Sequence, residues 1–208
     1  MVGKIGAFCG LLCGVCASSA WAGPIYNIDI NTSSLTGTDG AIYFQFNPGL
    51  NSDLASVSID PFSIDAPGAL TGSPITDGGV TGSLTALPLV IDNSGGLNDY
   101  LQFLTFGSTI SFRVAFNVPS VLTGDAGSAF VFAVTGTDGI TPLLTLDPSG
   151  NLGQIEYDLD GTFTATSLAD AAKISSAVPE PSFAGPVLLA LLLQIAILFR
   201  RRRQALAA

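Results

Sequence analysis

The sequence predicts an all-β fold: an antiparallel β-sandwich of jelly-roll-like topology, flanked by one apolar helix at each end. Two patterns predict the sandwich. Apolar and polar residues alternate over several short segments, and Gly- and Asp-containing turns separate those segments. The composition agrees, because a charged fraction of 11% with 24 Gly and 12 Pro in 208 residues is typical of turn-rich β proteins.

The clearest predicted strand covers residues 109–118. One face carries Ile110, Phe112, Val114, Phe116 and Val118, and the other carries Ser111, Arg113, Ala115 and Asn117. The same period appears at 26–30, 42–46, 55–59 and 130–134, and further strands are predicted near 84–91, 100–106, 154–159 and 162–166. Turn sequences such as Asp138-Gly139 and Asp160-Gly161 lie between these segments. About eight to ten short strands at this spacing indicate a sandwich.

Four segments follow from where these patterns start and stop. We expect a signal peptide over 1–22, the β-sandwich over 23–166, a linker over 167–177 and a C-terminal anchor over 178–203. The linker is predicted because the alternation fades after residue 165. We expect this linker to hold the domain away from the membrane.

The first 22 residues have the three parts of a secretory leader. Lys4 supplies the positive charge, 5–16 form the apolar region, and small residues at Ala20 and Ala22 predict cleavage before Gly23. The alternative is a buried N-terminal core helix.

Cysteine and histidine usage restricts the chemistry further. Cys9, Cys13 and Cys16 all lie in the predicted leader, and the sequence contains no histidine. If the leader is removed, the mature chain has no thiol and no imidazole. Disulfides, zinc sites and Cys/His catalysis are then excluded.

The charge is strongly acidic between the two ends. The net charge is −9, and every acidic residue except Glu180 lies within 23–177, where Arg113 and Lys173 are the only basic residues. Binding to nucleic acid requires clustered Lys and Arg. This excludes nucleic acid as a partner of the domain.

A second apolar segment lies near the C-terminus. Residues 183–199 would form a helix about 25 Å long, close to the lower limit for a bilayer core of about 30 Å. Arg200, Arg201, Arg202 and Arg203 follow it directly. By the positive-inside rule this basic cluster stays in the cytoplasm, so we expect the domain to lie outside, anchored in the inner membrane by its C-terminal transmembrane helix.

A short motif precedes this helix: Val178, Pro179, Glu180 and Pro181. The two prolines prevent helix formation and hold the glutamate in an extended segment that a processing enzyme can bind. Motif, short helix and arginine cluster together resemble the PEP-CTERM sorting signal of Gram-negative bacteria. The alternative is a plain stop-transfer anchor.

The resemblance implies recognition by exosortase, a membrane transpeptidase-like enzyme, and association with exopolysaccharide and biofilm matrix. Residues 29–49 also resemble the opening of a family of uncharacterised PEP-CTERM proteins, which brings no known activity with it.

Few residues of the domain are candidates for a ligand site. Glu156, Asp158 and Asp160 form its densest acidic cluster, which we interpret as a solvated strand face ending in a turn. The alternatives are a calcium site at Asp158 and Asp160, and a carboxylate pair for glycoside hydrolysis. Tyr43 and Tyr100 could face outward and stack on a sugar, although a strand tyrosine is more often packed.

These observations predict a non-enzymatic protein without a required cofactor, exported and processed at the sorting motif. Its final location would be the cell surface or the extracellular matrix, in a structural or exopolysaccharide-associated role. A carbohydrate- or calcium-binding module is the second interpretation, and a glycoside hydrolase-like enzyme the third.

Overall fold

Residues 23–177 form two antiparallel β-sheets in a computed structural model, which describes this part of the chain. The predicted leader up to Ala22 and the predicted anchor, with its motif at 178–181, lie outside the described residues. Within 23–177, no helix is long and apolar enough to cross a bilayer.

Fourteen strands build the sheets. They are β1 (Ile25–Asn31), β2 (Asp39–Pro48), β3 (Ser56–Ile64), β4 (Ala69–Leu70), β5 (Ile75–Asp77), β6 (Val80–Ser83), β7 (Ala86–Asp92), β8 (Asp99–Thr105), β9 (Thr109–Asn117), β10 (Ser128–Thr135), β11 (Pro142–Leu143), β12 (Gly153–Tyr157), β13 (Phe163–Ser167) and β14 (Ala172–Ala177). The one helical element of the described chain is a 3-10 turn at Ser33–Leu35. The prediction of an all-β fold is therefore confirmed.

The strand order shows how the chain passes between the sheets. The first sheet has the order β14-β1-β9-β3-β7-β6. The second has the order β13-β12-β10-β2-β8-β4, with β11 added beside β10 and β5 beside β8. Most connections between the long strands cross from one sheet to the other, so each sheet mixes strands that are distant in sequence.

The core lies between the two inner faces, where the predicted alternating positions meet. Phe44 of β2 lies at its centre: its ring contacts Phe112 of β9 edge-on at 5.0 Å between centroids, and Tyr100 and Phe130 stack beside it. Burial of this aromatic cluster is the main stabilising contribution available to a domain whose described residues contain no cysteine.

The predicted linker over 167–177 is wrong. Ser167 ends β13, and Ala172–Ala177 form β14, which pairs with β1 along its whole length, from Ala172 opposite Ile30 to Ala177 opposite Ile25. Ala172 is buried and Ile174 packs against the core. The sandwich therefore extends to Ala177 instead of ending at residue 166.

Gly23 and Ala177 lie at the same end of the sandwich, because Ile25 is opposite both Ala177 of β14 and Ala115 of β9. We call this the terminal end. Its loops are 49–55, 78–79, 93–98, 118–127 and 158–162. The opposite end, called the distal end, carries the loops 32–38, 65–68, 106–108, 136–152 and 168–171.

Candidate functional site

Tyr43 lies on the outward side of β2, half-buried, as one of the two tyrosines considered for sugar stacking. Its hydroxyl donates a hydrogen bond to Oδ2 of Asp99 at 2.8 Å. Burial raises the pKa of Tyr43 strongly, and the hydrogen bond and negative charge of Asp99 act in the same direction. The side chain is therefore neutral at physiological pH and fixed in one orientation.

Tyr100, the other tyrosine, faces the core. It is fully buried, and its hydroxyl accepts a hydrogen bond from the Leu84 amide at 3.1 Å and donates one to Oε1 of Gln102 at 3.1 Å. Its pKa is raised because of burial. Tyr100 is therefore packed, as is usual for a strand tyrosine, and the alternative of an outward sugar platform is wrong for this residue.

The connection from β10 to β12 lies over the outer face of the second sheet, next to Tyr43. Within it, β11 pairs with Val134 and Thr135 of β10. Asp138 holds the preceding turn by accepting hydrogen bonds from the amides of Ile140 and Thr141, each at 2.9 Å. The Thr141 hydroxyl, followed by these amides, lowers the pKa of Asp138 to about 2. The turn is therefore stabilised by an ionised carboxylate.

A small pocket lies between this connection and the sheet, with a volume of about 150 Å³. It is lined by Tyr43, Ala133, Thr135, Gly139, Ile140, Pro142, Ser149, Gly150 and Asn151. None of these residues is charged. A water occupies about 30 Å³ in the liquid, and drug-sized ligands need pockets of about 300–1,000 Å³, so this pocket fits a few waters or one small polar ring.

Thr135 gives the pocket its distinguishing feature. Its hydroxyl is the one side-chain polar atom within 23–177 that is buried without a hydrogen-bond partner. Leaving such a group unsatisfied costs about 1–3 kcal/mol, so native proteins normally supply a partner. Thr135 also lines the pocket, but its Oγ1 has almost no solvent-accessible surface, so a water or a ligand hydroxyl would reach it only after a movement of the lining side chains.

The acidic candidates lie elsewhere, at the terminal end. Asp160 accepts hydrogen bonds from the hydroxyl and the amide of Thr162, at 2.6 and 2.9 Å, which lower the pKa of Asp160. The main chain of Asp158 closes the same turn by bonding Gly161 and Thr162. Asp160 therefore has a local structural role, as expected for a strand that ends in a turn.

Glu156 and Asp158 border a shallow depression of about 350 Å³ near Asn47 and Ser128. Neither carboxylate accepts a hydrogen bond from any residue of the described range, so nothing there holds the two groups in a fixed geometry. Catalytic carboxylates need such support. In the same range, no group of three or more acidic, Cys or His side chains could hold a metal ion.

Comparison of the chain with protein-family models, with curated proteins and with solved structures found no match. The assignment of a site therefore depends on the geometry described above. Sequence reasoning identified Tyr43 but not Thr135 or Asn151. Thr135 carried only a weak signal, as the first residue of a Thr-Gly-Thr-Asp-Gly sequence that also occurs at 36–40.

Proposed function

We propose that this chain is an exported, non-enzymatic envelope protein, anchored by its C-terminal segment and processed at Val178, Pro179, Glu180 and Pro181 by an exosortase-type enzyme. In this proposal the sandwich, of jelly-roll-like topology, is the part displayed outside the inner membrane. Its final place is the cell surface or the exopolysaccharide matrix, where it has a structural role.

The boundaries of the sandwich are the observation that carries this proposal. Within the described residues 23–177, the first strand begins at Ile25, just after the predicted cleavage site, and every strand lies before the predicted motif at Val178. The compact unit also ends at Ala177. Removal of both predicted targeting segments would therefore leave all fourteen strands of residues 23–177 in place.

The protonation state of four of the fifteen carboxylates of residues 23–177 supports the non-enzymatic part of the proposal. Asp138, Asp147 and Asp160 accept hydrogen bonds from amides or hydroxyls of their own loops, and Asp53 accepts them from Thr123 and Gly124 of a neighbouring loop; these bonds lower the four pKa values. A carboxylate with a lowered pKa is a poor proton donor near neutral pH. This is the opposite of what a general acid requires.

The experiment is a Glu180→Ala substitution, with Ser182→Ala as the matched control just outside the motif. We expect Glu180→Ala to leave export and membrane insertion intact but to reduce conversion to the shortened form, because the enzyme would no longer bind the motif. Ser182→Ala should be processed like the wild type. Immunoblots of membrane and medium report both forms; equal processing of all three proteins would contradict the proposal.

A second candidate function is binding of a neutral sugar residue in the pocket at Tyr43. The unpartnered hydroxyl of Thr135, the fixed aromatic ring and the absence of charge on the lining residues favour it. We expect Thr135→Val to abolish chemical-shift changes caused by neutral monosaccharides. Thr164→Val, on β13 outside the pocket, should leave them unchanged; no shift change with the wild type would contradict this candidate.

A further inference from the structure

The terminal end carries most of the exposed large aliphatic side chains of the domain. Nine such side chains are exposed within 23–177, and five of them lie in loops of this end: Leu50 (77% exposed), Leu54 (66%), Leu97 (43%), Val121 (70%) and Leu159 (44%). Four of the five loops of the terminal end contribute at least one, and the fifth, 78–79, consists of two glycines. Single exposed aliphatics are ordinary on protein surfaces, but a concentration at one end indicates an interaction surface.

The loops that carry these side chains are fixed to one another. The carboxylate of Asp53 accepts hydrogen bonds from the amides of Thr123 and Gly124, at 2.6 and 2.9 Å. The Asn51 side chain also donates a hydrogen bond to Asp125 at 2.8 Å. These contacts join the loop of Leu50 and Leu54 to the loop of Val121, so the aliphatic side chains keep a defined arrangement.

The buried side chain of Asn93 also stabilises these loops by hydrogen bonds. Oδ1 of Asn93 accepts a hydrogen bond from the Ala55 amide at 2.7 Å, and its Nδ2 donates to the Asp53 carbonyl and the Ser128 hydroxyl, each at 2.8 Å. Because Asn93 is buried, these bonds are protected from competition with water. Buried hydrogen bonds of Asn93 therefore hold the loop that carries Leu50 and Leu54 in place.

Only a short stretch of chain separates the terminal end from the predicted membrane span. The span begins at Phe183, six residues after Ala177, and six residues of extended chain reach at most about 20 Å at about 3.3–3.6 Å per residue. The headgroup layer adds only about 5–8 Å to each side of the hydrocarbon core. The strand β9 continues beyond the position opposite Ala177, to Asn117, and the loop of Val121 lies further along in the same direction.

We propose that the terminal end of the sandwich rests on the bilayer surface, with the tips of Leu50, Leu54, Leu97, Val121 and Leu159 at headgroup level. This inference rests on the proposed C-terminal anchor, which would place this end of the domain next to the membrane.

The negative charge of the terminal end favours a lipid surface without net negative charge. Asp53, Asp125, Asp158 and Asp160 lie in the same loops, whereas Arg113 and Lys173 lie on strands. An anionic surface would repel these carboxylates over a Debye length of about 8 Å at physiological salt. The partner is therefore a zwitterionic bilayer surface.

The test uses tryptophan as a probe, because the sequence contains no tryptophan after Trp21, within the predicted leader. Leu50→Trp and Val121→Trp place the probe at the terminal end. Leu146→Trp, at a fully exposed distal position, is the matched control. Each full-length variant without its leader is reconstituted in phosphatidylcholine vesicles containing brominated lipid, and flotation with the vesicles is measured alongside emission.

We expect all variants to float with the vesicles, and the emission of the two terminal-end probes to shift to shorter wavelength and be quenched by the brominated lipid. The Leu146→Trp emission should remain that of a probe in water. Flotation with equal emission from all three variants would overturn this inference while leaving the anchor intact. A shift without quenching would indicate that a second copy covers the loops, which also overturns it. Failure to float would refute the anchor, and this inference with it.

Discussion

Ile25 lies directly opposite Ala177, so the first and last strands of the sandwich are hydrogen-bonded neighbours in one sheet. A segment with little apolar alternation thus forms one edge strand of this sheet. It also brings the first and the last described strands to the same end of the sandwich.

The pairing of β14 with β1 predicts a sharp dependence of stability on where the chain ends. A protein of residues 23–171 lacks β14 and leaves β1 as an edge strand, with the contacts of Ala172 and Ile174 lost. We expect a free energy of unfolding at least about 2 kcal/mol below that of residues 23–177, comparable with the loss of a large buried side chain. Urea denaturation measures this difference, and equal midpoints would show that these residues are a tether after all.

The central position of Phe44 predicts a large effect of its truncation. Phe44→Ala removes ring contacts with Phe112, Tyr100 and Phe130 and leaves a cavity between the sheets. We expect a loss of about 3–5 kcal/mol in urea denaturation. Leu146→Ala, at an exposed position, should change stability by less than about 0.5 kcal/mol. Similar effects of the two substitutions would contradict the placement of the core.

The buried hydroxyl of Tyr100 predicts a cost for its removal. Tyr100→Phe leaves the Leu84 amide without its acceptor, and an unsatisfied buried donor costs about 1–3 kcal/mol. Tyr26→Phe is the control, since the Tyr26 hydroxyl forms no hydrogen bond with any residue in 23–177, and its effect should be close to zero. Thermal unfolding of both variants tests this difference; a fully stable Tyr100→Phe protein would mean that the hydroxyl contributes nothing.

The hydrogen bonds to Asp138 predict loss of stability in acid. Its pKa in the folded protein is about 2, below the ordinary value of 3.8, so its ionised form stabilises the fold above pH 4. This contribution is lost as the pH falls from about 4 towards 2. Thr141→Val removes the largest cause of the shift and should flatten this part of the stability profile, whereas Thr137→Val should not. Urea midpoints at a series of pH values test this, and identical profiles for the two variants would refute the role of Thr141.

The alternation of apolar residues predicted the long strands well, because one face of β9 and of β2 is buried and the other is not. It failed for β14, whose sequence Ala-Lys-Ile-Ser-Ser-Ala contains small residues and has weak strand propensity. That strand forms because β1, more than 140 residues earlier, offers it an unpaired edge. Pairing at this separation leaves no local signal in the sequence.

The inward position of Tyr100 was expected only from the general tendency of strand tyrosines to be packed, because the periodicity of β8 does not show which face is buried. On β8 the inner face carries Tyr100, Gln102 and Leu104, and the outer face carries Leu101 and Phe103, so both faces are largely apolar. Periodicity does not identify the inner face of such a strand. The pocket at Tyr43 could not be predicted from the sequence either. Its lining combines residues of β2, of β10 and of the connection 136–152, which are far apart in the chain.

The most direct test of the proposal that the chain is exported and sorted is the intact mass of the protein recovered from membrane and medium. We expect two forms that both begin at Gly23: a membrane form that retains the residues after Pro181, and a shorter form that has lost them but keeps Ala177 and all of β14. A protein that begins at Met1 and keeps its full length in every fraction would contradict it.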